Sequence, residues 1–157
     1  MAFIAGPYTA TWNALAVGQL ANGFTLSHKF FKRLITGDNF AEAPQDSVYR
    51  GAEMFVDFTC IAFDAAAIQT LMWPYHATRW TMGQVGRTDV GSAVALSLVL
   101  TAVAGTPAAA TPATLTALTS VLAEGFPVDV LFAPDLREVP LKLRVYPNSS
   151  GVFATQT

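Results

Sequence analysis

Glu53 and Asp57 are two carboxylates four residues apart, with Phe55 between them. On an extended strand both point to one face, about 13 Å apart at roughly 3.3 Å per residue. Glycosidase carboxylate pairs stand closer, at roughly 5–9.5 Å, so this pair reads as a charge row facing solvent or a neighbouring subunit. His28, His76 and Cys60 are the candidate metal ligands, but they are scattered along the chain. A structural zinc site draws paired ligands at short spacing. His28 shares a strand face with Phe24, Leu26 and Phe30, the setting of a half-buried, hydrogen-bonded imidazole. Cys60 follows Met54, Val56 and Phe58 on another strand face and reads as a buried thiol, not a nucleophile. No serine has the G-x-S-x-G setting. "GQVGRTDVG" (83–91) lacks both the phosphate-loop lysine and the G-x-G-x-x-G spacing, so it reads as a glycine-rich turn. "HKFFKR" (28–33) interleaves basic residues with phenylalanines, a pattern that can hold single-stranded nucleic acid. Six residues in a chain of net charge -2 suit a charged strand face better, paired with the acids of a neighbour. No catalytic residue, metal ligand set or cofactor site is expected, and the chain is not read as an enzyme.

The residues that remain to be explained are apolar. Of 157 residues, 52% are hydrophobic and 13% charged, against about 25% charged in an average soluble domain. So little charge fits a membrane protein, or a subunit that covers much of its surface with copies of itself. The chain is long enough for one domain with one modest core. The single cysteine excludes an intrachain disulfide and suits a reducing compartment. The first dozen residues lack the basic and apolar regions of a signal peptide. Residues 90–123 carry no charge, but Gly105, Pro107 and Pro112 interrupt them. The continuous apolar core there, within 92–105, falls short of the roughly 20 residues a spanning helix needs and favours a buried strand.

Alternation places strands at 8–18, 24–36, 52–63, 92–105 and 137–147. Asn22-Gly23 is a hairpin signal. The alternation slips at Phe30-Phe31, where a β-bulge would restore it. In 52–63, Met54, Val56, Phe58 and Cys60 form the core face, and Glu53, Phe55, Asp57 and Thr59 the other. Residues 64–73 form the clearest helix, with Asp64 as N-cap, an Ile68/Leu71/Met72 stripe and Pro74 as stop. Residues 114–125 are ambiguous between strand and short helix, and 126–134 suggest a further strand. Pro140 argues for an edge position or a bulge in the last strand. The expected fold is mostly β (α+β): a small β-sandwich or barrel over 1–147 with one flanking helix. Between its second and third strands lies a long polar loop, 37–47, and residues 148–157 follow as a flexible C-terminal arm.

The order "GDNFAEAPQDSVYRGAEMFVDF" (37–58), "DAAAIQTLMWP" (64–74), an uncharged strand, then "FPVDVLFAPDLREVPLKLRVYP" (126–147) resembles the tail tube (major tail) proteins of long-tailed bacteriophages. The resemblance spans nearly the whole chain, as layout and not as one short motif. It implies six-membered rings that stack into a tube through which DNA passes without specific binding. It also implies a place in the virion after synthesis in the host cytoplasm, with other tail proteins as partners and no cofactor or membrane. The loop would make the inter-subunit and inter-ring contacts through Asp38, Asn39, Phe40, Glu42, Gln45, Asp46, Tyr49 and Arg50. Glu53, Asp57 and Thr59 would line the lumen. Other readings of the same residues are a capsid decoration or tail terminator protein and a ligand-binding β-barrel using Trp73, Tyr75 and Trp80. A membrane protein built around 92–105 is a further one.

Overall fold

The computed structural model describes residues 7–37, 43–61, 66–72, 94–103, 114–129 and 138–157. Its elements are β1 (Tyr8–Trp12), β2 (Leu15–Ala16), β3 (Leu20–Thr36), β4 (Pro44–Cys60), α1 (Ala66–Leu71), β5 (Leu96–Ala102), β6 (Thr114–Leu122), β7 (Val139–Tyr146) and β8 (Ala154–Gln156). The strands form one antiparallel sheet in the order β2-β1-β5-β6-β7-β4-β3, with β8 added alongside β6. The protein is mostly β, with a single short helix among the described residues.

The sheet is open, yet its two ends are joined. Val17 to Gln19 carry the chain from β2 at one end of the strand order to β3 at the other. Three residues span only about 10 Å, so the sheet must roll round. Hydrogen bonds hold the join: Val17 N donates to Ala10 O at 3.0 Å, and Ile61 N to Gln19 O at 3.0 Å. The Cys60 thiol lies 3.6 Å from Val17 O. The expected barrel is therefore a rolled sheet whose edge strands meet at one end without pairing along their length.

Alternate residues of each strand fill the inside of the roll. Val56, Phe58 and Cys60 of β4 meet Leu143, Leu141 and Val139 of β7, all buried. Ala10 and Trp12 of β1 lie opposite Leu100 and Leu98 of β5. From α1, Ala67, Ile68 and Leu71 join this cluster, followed by Met72, so the stripe read from the sequence is its buried face. Asp64, the expected cap, lies outside the described residues. Ser120 is the one buried polar residue among those described. Its hydroxyl donates to Leu96 O at 3.0 Å, and its carbonyl accepts the Trp12 Nε1 proton at 3.2 Å. The indole thus keeps its polar end satisfied inside the roll.

Several sequence expectations change in the structure. Residues 8–18 are not one strand: Asn13 and Ala14 have φ of 52° and 61°, making a two-residue turn between β1 and β2. Asparagine accepts the left-handed region, whereas alanine there costs roughly 1 kcal/mol. Asn22-Gly23 does not turn the chain back. Leu20 pairs with Cys60 and Phe24 with Phe58, so the intervening residues bulge out of one continuous strand, with Gly23 at φ 77°. The slip at Phe31 is a bulge as expected, but its extra residue, Arg50, lies on the partner strand. Residues 114–122 are a strand, because β5, β7 and β8 all pair with them and override the helix preference of their leucines and Ala117. Residues 126–129 are not strand, and 130–134 lie outside the described residues. Pro140 sits in an interior strand, but β6 pairs with β7 only from Leu143 to Tyr146, so Pro140 meets β4 alone. Its missing N–H then costs no ladder bond.

The C-terminal residues read as a free arm return to the sheet. Asn148 folds a compact excursion, its Oδ1 accepting from Ser150 N at 2.9 Å and Val152 N at 3.0 Å. Ala154, Thr155 and Gln156 then pair with Ala117, Thr116 and Leu115. Thr157 and Thr114 exchange two backbone hydrogen bonds of 3.0 Å. Since β7 ends opposite Thr119, β8 resumes the same row along β6.

Candidate interaction surface

Of the long loop expected over 37–47, residues 44–47 are strand. β3 runs to Thr36 and β4 begins at Pro44, and the two pair as far as Thr36 with Pro44. Polarity misled here: both faces of this stretch meet solvent, so Gln45, Asp46 and Ser47 occur in a strand without burying anything. Gln45, Asp46, Tyr49 and Arg50 therefore belong to β4, not to a loop. Asp38, Asn39, Phe40 and Glu42 lie outside the described residues.

Strand β7 supports β4 only from Met54 to Cys60. Beyond it, Lys29–Thr36 and residues 44–52 form a two-stranded stem with no other strand beside it among the described residues. Eight residues at about 3.4 Å give a projection of roughly 27 Å. Apolar side chains stand exposed on it: Phe30 is 56% exposed, Leu34 59%, Tyr49 59%, Val48 51%, Ile35 43% and Phe31 38%.

Pairing sorts these residues to two faces. Phe30 leads to Lys32, opposite Tyr49, and to Leu34. The rings of Phe30 and Tyr49 meet edge-on with centroids 6.3 Å apart, and His28 lies 5.0 Å from Phe30. This face continues the core face, where Phe24 and Phe58 rings are 5.3 Å apart. The opposite face carries Lys29, Phe31, Arg33 opposite Val48, and Ile35. Lys29 Nζ lies 5.4 Å from the Phe31 ring centre. The "HKFFKR" segment thus divides its basic and aromatic residues between both faces.

Glu53, Asp57 and Thr59 fall on the strand face opposite the core, as their alternation requires. Pairing brings bases to the two acids. Lys142 Nζ lies 3.6 Å from Asp57, and Arg144 3.4 Å from Glu53. Arg144 also grips Glu124 with two nitrogens, one at 2.8 Å. Phe55 lies between the cations, 4.6 Å from the Arg144 guanidinium carbon and 4.9 Å from Lys142 Nζ. The hydrogen bond from Arg144, aided by one from its own backbone, holds the Glu124 carboxyl below its ordinary value. The same bond to Glu124 raises Arg144 against the opposing effect of its partial burial. The acids expected to line a lumen thus belong to a cross-strand ladder of three carboxylates and two cations. Sequence reading found the alternation of Lys142 and Arg144 but not their partners, because register across strands 90 residues apart leaves no local signal.

Among the described residues no three His, Cys, Asp or Glu side chains gather into a metal site. Cys60 is in the core and His28 on β3 opposite Met54; His76, Trp73, Tyr75 and Trp80 lie outside the described residues. No described helix is long and apolar enough to cross a membrane. No protein-family model and no curated protein matches this chain.

Proposed function

We propose that the protein is a self-assembling structural subunit of a virion, a tail tube protein whose six-membered rings stack into a conduit for DNA. The observation that carries this reading is the stem of β3 and β4, which projects from the rolled sheet with large apolar side chains on both faces. Water does not favour such a projection; a neighbour that covers it does. The outer edge of β3, 17 residues long, is also unpaired among the described residues, and an edge of that length invites another chain. The low charge of the whole sequence fits a surface largely occupied by copies. The resemblance of the layout to tail tube proteins supports a place in a phage tail. The contact residues are then Gln45, Asp46, Tyr49 and Arg50 on the stem. The ladder of Glu53, Asp57, Glu124, Lys142 and Arg144 has one carboxylate in excess and would offer passing DNA no net positive charge to adhere to.

Negative-stain imaging of the purified protein tests the reading. Tubes of stacked rings support it. Isolated rings or trimers point to a terminator or decoration protein, a monodisperse monomer to a ligand-binding domain, and a requirement for detergent to a membrane protein.

A further inference from the structure

The chain has four asparagines, and Asn22 alone is followed by glycine. A backbone nitrogen can attack the side-chain amide of the asparagine before it and expel ammonia. The attack needs an amide free to turn, an unhindered following residue and a backbone released from its ladder. The bulge in β3 supplies each of these at Asn22.

Leu20 pairs with Cys60 and Phe24 with Phe58, so Ala21, Asn22 and Gly23 stand opposite Thr59 alone. Three residues against one leave part of the strand outside the ladder. All three are exposed. Gly23 has φ of 77° and open space where a Cβ would stand, so nothing crowds its nitrogen. No described residue is hydrogen-bonded to the Asn22 side chain. The other asparagines differ. Asn148 is pinned, its Oδ1 accepting from Ser150 N at 2.9 Å and Val152 N at 3.0 Å. Asn13 precedes Ala14, whose methyl group crowds the attacking nitrogen, and Asn39 lies outside the described residues.

Independently of how the chain assembles, we infer that Asn22 is a site of self-modification, converted to aspartate and isoaspartate through a succinimide with Gly23. Gly23 N bonds to Asn22 Cγ, the Cγ–Nδ2 bond breaks, and ammonia leaves with the Gly23 N–H proton. Water then opens the ring. Opening at Cγ gives aspartate, and opening at the backbone carbonyl gives isoaspartate. Either product adds one negative charge at neutral pH. Isoaspartate also inserts a methylene into the backbone of β3. The insertion lies beside the join of the roll, where Ile61 N donates to Gln19 O and Leu20 pairs with Cys60, so conversion loosens that join.

The test incubates the folded full chain at mildly alkaline pH in water enriched in heavy oxygen, with peptide mapping by mass spectrometry. The same chain in urea and an Asn22→Gln variant run beside it. Label should enter at Asn22 within about tenfold of its rate in urea, because the bulge needs no opening of the sheet. It should enter at Asn148 at least about tenfold more slowly than at Asn22. A slower folded rate at Asn22 would show that β3 holds the bulge closed and overturns the inference, as does equal labelling of Asn148. Asn22→Gln should abolish the acidic species that ion exchange resolves from the aged parent; their persistence at the parent's rate overturns the site. The converted chain should melt below the fresh one, and equal melting overturns the loosening of the join.

Discussion

Phe30 and Tyr49 meet edge-on across β3 and β4, with ring centroids 6.3 Å apart, beyond the last residue of β4 that β7 supports. Aromatic pairs of this kind usually lie in a core or an interface. Here Phe30 is 56% and Tyr49 59% exposed in the single chain. The pair stiffens a projection that has nothing else beside it among the described residues, and a stiff projection loses less entropy on docking than a loose loop.

The interior of the roll should be sensitive to the polar end of Trp12. Trp12→Phe removes the donor to Ser120 O and leaves that carbonyl without this partner. The expected loss is about 1–3 kcal/mol, read from urea unfolding. A change below about 0.5 kcal/mol would mean that the indole contact does not contribute.

The charged ladder predicts a pH-dependent effect. Glu124 has a folded pKa below its ordinary 4.5 because Arg144 binds its ionised form. Its contribution is present above 4.5 and is lost as the pH falls through the lowered folded value. Arg144→Met should therefore cost up to about 1 kcal/mol at pH 7, since Glu124 is largely exposed. Relative to the parent, that penalty should shrink as the pH is lowered from 7 to below 4.5. A penalty that stays constant over this range would show that the arginine acts through packing on Phe55 and not through charge.

Strand β8 should act as part of the sheet. Truncation after Phe153 removes three residue pairs with β6 and the two hydrogen bonds between Thr114 and Thr157. At about 0.5–1.5 kcal/mol per hydrogen bond, a measurable fall in the urea midpoint is expected. Amide exchange at Leu115–Ala117 should rise with it. Unchanged exchange there would mean that the C-terminal residues do not hold β6.

Where burial imposed a period, the fold was legible in the sequence. The Met54/Val56/Phe58/Cys60 face, the Ile68/Leu71/Met72 stripe and the bulge near Phe31 all follow from alternation or helical spacing. The β3 half of the stem was read as strand within 24–36, but the β4 half, 44–51, was not, because neither of its faces is buried in the single chain. Its sequence lacks the polar-apolar contrast by which a half-buried strand reveals itself, and polar residues 44–47 resembled a loop. The β1–β2 turn escaped because Ala14 takes a conformation that alanine seldom adopts. The partners of Glu53 and Asp57 depend on register with Arg144 and Lys142, which is a property of the sheet as a whole.

The central claim is that the stem drives assembly while the rolled sheet folds without it. Replacing residues 32–50 by Asn-Gly joins the paired residues Phe31 and Gly51 through a two-residue turn of the kind hairpins favour, and leaves every buried core residue in place. Negative-stain imaging beside the parent is the direct measurement, with melting curves as the check on folding. The account predicts tubes of stacked rings from the parent, and from the shortened chain a folded monomer that forms none. Tubes from the shortened chain, indistinguishable from those of the parent, would contradict it.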